Sequence, residues 1–146
     1  MTKKSPISTL IELAEKDTDE AAKNVGKAIR AQEETEKQLA LLLQYRDDYV
    51  IRFQNGAATG LSAGQYMNFQ SFIYKLDSAV DGQRKIVKDA EYRVSKARSL
   101  WQECEKKRLS YGILHNRAQA DVLKKENKLD QKQTDEHAAR SYFYKS

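Results

Sequence analysis

With 146 residues, 32% of them charged, a mean hydropathy of −0.81 and a single proline, the chain carries too little apolar material for a thick globular core. Its one cysteine, Cys104, excludes an intramolecular disulfide, and the longest apolar run, Leu39 to Leu43, excludes a membrane span. The net charge of +5 is unevenly placed: nine basic and ten acidic residues up to Gly56, seventeen and eleven from Ala57 onward.

In chain order, Met1 to Ile7 reads as a loose tail, with Pro6 disfavouring helix at Ser5. Lys3 and Lys4 imitate the start of a signal peptide, but Glu12, Glu15 and Lys16 break the apolar stretch that one needs. A cytoplasmic protein is expected. Thr9 to Glu12 has the spacing of a capping box, so helix one is predicted from about residue 9 to 54, roughly 70 Å at 1.5 Å per residue. Asn55-Gly56 is the predicted stop and 55–62 the predicted turn, with Gly60 and Gly64 loosening the connection. Ser62 to Gln65 is a second capping-box spacing, from which helix two is predicted over 63–137, roughly 110 Å long, with bends at Gly82 and Gly112 and a loose tail after it.

Both helices carry a four-three alternation. In the first it runs through Ile11, Ala14, Thr18, Ala21, Val25, Ala28, Gln32, Thr35, Leu39, Leu42, Arg46, Tyr49 and Phe53. In the second it runs from Tyr66 through Phe69, Ile73, Leu76, Val80, Gln83, Val87, Ala90, Val94, Ala97, Trp101, Cys104, Arg108, Tyr111 and His115 as far as Leu129. An apolar stripe repeating every 3.5 residues requires a partner helix, since a lone helix would leave the stripe in water. The expected fold is therefore all-α, one domain made of a long antiparallel two-helix coiled-coil hairpin. A turn near Gly60 sets Gln38 opposite Gln83, Tyr49 opposite Phe72 and Ser8 opposite Ile113. Past Ile113 the second helix has no partner from its own chain and is expected to overhang. Such a segment is marginal alone; it either frays or becomes ordered inside something else.

No catalytic constellation is present, so a non-enzymatic role is expected, with no cofactor. His115 and His137 stand alone and far apart, which does not suit metal ligation. The strongest functional signal is surplus apolar surface near the turn: Gln38, Leu42, Tyr45 and Tyr49 on helix one, and Phe72, Leu76, Ala79 and Gln83 on helix two. These two stripes mirror one another along one edge of the hairpin. Gln38, Tyr45, Phe72 and Ala79 widen the stripe beyond the seam. Burying one large apolar side chain stabilises by roughly 1.5 to 3 kcal/mol, so the stripe invites a partner unless the hairpin itself or a dimer covers it. A second signal is the basic series Arg84-Lys85, Lys96, Arg98 and Lys106-Lys107-Arg108, with Tyr92, Trp101 and Tyr111 interleaved. Acidic residues at Asp89, Glu91, Glu103 and Glu105 interrupt it, which favours an acidic protein surface over nucleic acid as its counterpart.

Four stretches, Thr9 to Ala22, Gln38 to Tyr49, Tyr66 to Val80 and Glu126 to Arg140, together resemble the FliJ family of flagellar type III export proteins. Their order and spacing carry the resemblance, with Leu129-Asp130-Gln131-Lys132 followed by Asp135-Glu136 near the end. The resemblance implies an antiparallel coiled coil similar to the central stalk of rotary ATP synthases. It implies a stalk that enters the hexameric export ATPase FliI, promotes ring assembly, contacts the cytoplasmic linker of the export gate FlhA and escorts empty export chaperones. The location implied is the cytoplasm, peripherally at the inner face of the bacterial cell membrane. Matched position by position, Phe72, Leu76, Ala79 and Gln83 correspond to the gate-docking stripe, and Gln38, Leu42, Tyr45 and Tyr49 to its neighbouring face. Leu13, Asp17, Leu129 and Asp130 belong to the end expected to enter the ATPase ring. Two other readings remain open at this point: a nucleic-acid-binding helical hairpin, and the equivalent stalk of a virulence-type secretion ATPase.

Overall fold

A computed structural model describes residues 5–145. They form two helices, α1 (Pro6–Thr59) and α2 (Ala63–Lys145), joined by three residues.

Helix α1 starts earlier than its sequence suggested. Ser5, not Thr9, is the cap: its Oγ accepts a hydrogen bond from the Ser8 amide at 3.2 Å. Pro6 occupies the first helical position, where its missing N–H costs nothing and its fixed φ already suits the helix. Ser5 stays outside the helix, as expected before a proline, and the helix begins at Pro6 itself. Of the expected tail, Met1 to Lys4 lie outside the described residues, and Pro6 and Ile7 are helical.

The stop is also displaced. Asn55 and Gly56 remain helical, and among the described residues the only positive φ is that of Gly60, at 94°. The Gly60 amide donates to the Ala57 carbonyl at 3.3 Å, and Leu61 folds back over Gly56, where a β-carbon would come within 3.2 Å of it. Gly60 is the left-handed residue that ends the helix, and its amide makes one of the two hydrogen bonds of a Schellman stop. At Gly56 a side chain would press on the end of Leu61, so the position favours a small residue. The start of α2 agrees with expectation: Ser62 Oγ accepts from the Gln65 amide at 3.2 Å, and Gln65 Oε1 accepts from the Ser62 amide at 3.1 Å. Helix α2 then continues past the expected end at His137 to Lys145, because residues 138–145 contain neither glycine nor proline to stop it. It also passes through Gly82 and Gly112 without interruption, so neither glycine breaks the helix.

The chain divides into two compact units, Asp19–Gln102 and Met1–Thr18 with Glu103–Ser146. Within Asp19–Gln102 the two helices pack antiparallel. The seam is buried at Ala21, Val80, Val87, Ala90 and Val94, and half-buried at positions such as Val25, Leu39, Leu42, Ile73 and Trp101. Near the turn it is aromatic: Tyr49 lies 5.1 Å from Phe69 and 4.4 Å from Phe72, and Phe53 lies 5.5 Å from Tyr66, between ring centroids. Arg46, a seam position, forms an ion pair with Asp77 across the helices. In the other unit Ala14 and Thr18 are buried, Ile11, Cys104, Arg108, Tyr111 and His115 are half-buried, and Thr18 donates its hydroxyl proton to the Ala14 carbonyl at 2.8 Å. From Asn116 to Arg140 every residue is exposed. The four-three alternation therefore identifies the covered face of both helices, from Ile11 to Phe53 and from Phe69 to His115.

Candidate functional site

All eight residues of the sequence-predicted stripe fall in the unit Asp19–Gln102. The structure joins them at two ends. At the end nearer the turn, Tyr49 and Phe72 stack at 4.4 Å with their planes tilted by 47°. At the other, Gln83 Nε2 donates to the Thr35 carbonyl at 3.0 Å and to Gln38 Oε1 at 3.4 Å. Between them Leu42 and Leu76 are half-buried, and Tyr45 and Ala79 are exposed. Phe72 keeps 44% of its surface in water although one side of its ring rests on Tyr49.

Gln83 behaves differently from the rest. It is only 8% exposed, and its amide is held by α1. It is a core residue that ties the two helices in register, while the surface a partner can reach is made by Phe72, Ala79, Gln38 and Tyr45. Sequence reasoning missed Leu41, which is exposed one helical turn before Tyr45 and borders a shallow groove with Gln44, Tyr45 and Asp48. It also missed Ile86, one heptad beyond Ala79. Both signals were legible: Leu41 and Tyr45 are four residues apart on one face, and Phe72, Ala79 and Ile86 are each seven apart.

Arg46 flanks the stripe's seam, and its guanidinium pKa is raised by the hydrogen bond and charge of Asp77. This partner lets a cation occupy a position that otherwise takes apolar residues. Of the basic series, Arg108 bonds Glu105 at 2.6 Å, and Trp101 and Tyr111 are half-buried on the seam. Those two aromatic residues serve the helix pair more than any external ligand.

The four residues assigned to the ATPase end lie in the other unit. Leu13, Asp17, Leu129 and Asp130 are all exposed. Leu13 and Asp17 share one face of α1. The start of α1, at Ser5 and Ile7, borders a groove whose far wall is His115, Ala118, Val122, Leu123 and Glu126. Leu129 and Asp130 follow that wall, so the two pairs are separated by roughly 30 to 40 Å along the helices at 1.5 Å per residue. The structure does not bring them together.

The chain that forms this helix pair matches a known family over almost its whole length: the family model described as Flagellar FliJ protein covers residues 3–146. The chain belongs to the flagellar FliJ family. Curated relatives named Flagellar FliJ protein, from Salmonella typhi and from Escherichia coli strain K12, are each 30% identical to it over 145 residues, covering 99% of both chains. FliJ membership makes the chain a component of flagellar protein export, in a family not known for enzymes. No described helix of this FliJ chain is long and apolar enough to cross a membrane.

Proposed function

We propose that this chain is a stalk and adaptor of the flagellar export apparatus: one coiled-coil domain that enters the FliI ring, promotes its assembly and ATP hydrolysis, and docks on the cytoplasmic linker of FlhA. The observation that carries this reading is that two sets of exposed residues fall in different units: the apolar stripe around Phe72 and Tyr45 in one, and Leu13, Asp17, Leu129 and Asp130 in the other. Helix α2, with 83 residues against 54 in α1, supports an overhang beyond the start of α1, and its exposed stretch after His115 is the part read as the probe that becomes ordered within the ring. The chain works at the inner face of the cell membrane through its protein partners and escorts empty export chaperones there.

The test is ATP hydrolysis by the purified cognate FliI, with and without the chain, alongside sizing of the ATPase. Stimulation with a shift toward hexamer is the expected result. Pulldown with Phe72→Ala/Leu76→Ala protein is expected to lose FlhA and keep FliI. Loss of both together would refute separate surfaces, and no stimulation or association between folded proteins would refute the stalk.

A further inference from the structure

The exposed edge does not end at Gln83. Ile86 continues the series Phe72, Ala79, Ile86 along α2 and is 51% exposed, too much for a residue that serves only the seam. Across from it α1 offers small side chains, Ala28 and Ala31, and Ala90 of α2 closes the floor. Near the turn, aromatic rings fill the equivalent space between the helices. Alanine methyl groups cannot, and a groove of about 480 Å³ remains. It is larger than one side chain needs, since a leucine leaves a cavity of only about 150 Å³, so it takes an aliphatic anchor together with part of the segment that carries it.

The rim supplies the second half of the description. Lys27 borders the groove on the α1 side and has no ion-pair partner among the described residues. Arg93 borders it on the α2 side, exposed and only loosely tied to Asp89 at 3.3 Å. Asp89 and Thr35 line the groove as well, and because Asp89 pairs with Arg93 the rim's excess positive charge is that of Lys27. An apolar floor under such a rim is complementary to an amphipathic segment bearing an aliphatic anchor with a carboxylate beside it.

We infer that this groove is an anchor subsite of the docking stripe, and that it takes a leucine-sized side chain from an acidic amphipathic segment of the export gate. The inference rests on the docking reading of the stripe. It adds the anchor pocket, the residues Ala31, Ile86 and Lys27, and the acidic character of the segment that binds there.

The experiment is a calorimetric titration of the full chain with the purified cytoplasmic fragment of the gate, linker included. Ala31→Leu obstructs the floor of the groove with a good helix former, Ile86→Glu places a charge on its wall, and Lys27→Glu reverses the charge of its rim. Ile51→Glu, equally exposed but on another face of α1, is the control. Circular dichroism checks that each variant is folded. Ala31→Leu and Ile86→Glu are expected to weaken binding at least tenfold. Lys27→Glu is expected to weaken it severalfold at low salt and less at 0.5 M salt, while Ile51→Glu binds as the parent does.

If Phe72→Ala/Leu76→Ala loses the gate while Ala31→Leu and Ile86→Glu bind normally, the groove is not an anchor site and the stripe stands. An unchanged affinity for Lys27→Glu would overturn the acidic partner. Self-association of the parent that Ala31→Leu dissolves, with gate binding intact, would assign the groove to a second copy and overturn the inference. No binding by the parent chain would remove the docking reading and this inference together.

Discussion

Gln83 offers the sharpest separation between holding the hairpin and touching a partner. Family resemblance puts it on the gate-docking stripe; the structure buries it, with its amide donating to the Thr35 carbonyl at 3.0 Å and to Gln38 at 3.4 Å. Replacement by alanine removes those bonds, whose net worth is about 1 kcal/mol. It also removes one buried methylene, at roughly 0.8 kcal/mol. The expected loss is therefore about 2 kcal/mol. Gln83→Leu keeps the apolar bulk and removes the polar group. Gln38 is exposed and regains water, so no buried group is orphaned and the change is expected to fall within about 1 kcal/mol, in either direction. Urea unfolding followed at 222 nm measures both variants, and titration with the gate fragment measures their docking. Gln83→Leu is expected to bind the gate nearly as the parent does. If it loses the gate while its stability is unchanged, Gln83 touches the partner directly and the reasoning from burial is wrong.

Three further outcomes follow from the geometry. Gly60→Ala, at the left-handed stop, is expected to destabilise by about 1 to 2 kcal/mol, and Ser62→Ala by about 1 kcal/mol through loss of the capping box; equal stability of either variant in urea would discount that device. The Arg46–Asp77 pair is half exposed, so Asp77→Asn is expected to lower the urea midpoint at low salt by an amount that shrinks at 1 M salt, and a salt-independent loss would mean the pair acts through packing instead. The Glu105 carboxyl is held below its ordinary value of 4.5 by the hydrogen bond and charge of Arg108. A lowered folded-state pKa means that its contribution is present above pH 4.5 and is lost as pH falls through the folded value. Glu105→Gln should therefore flatten the acid limb of stability against pH, and an unchanged acid limb would exclude the pair as its source.

The candidate site was legible wherever it depended on spacing. Tyr49 against Phe72 and Gln38 against Gln83 follow from one turn position and a common repeat, and both pairs meet. Depth was legible in part. Gln83 is a seam position in sequence and Ala79 lies beside the seam, and the first is buried while the second is exposed. What spacing could not give is how much of a flanking residue the opposing helix covers.

By itself the sequence determined the two helices, the covered face of each, the antiparallel register, the Ser62 cap and the resemblance to the FliJ family. All of these rest on periodicity or local hydrogen bonding, which a single chain segment carries within itself. Only the structure showed that Gly60 and not Gly56 takes the left-handed conformation, with Gly56 still inside α1 and close to Leu61. Likewise it decided that the Gln83 amide bonds the Thr35 carbonyl and that Ala28, Ala31 and Ala90 meet beside Ile86 to leave a groove. An unfilled volume is a property of two surfaces brought together, so neither helix specifies it until both are in place.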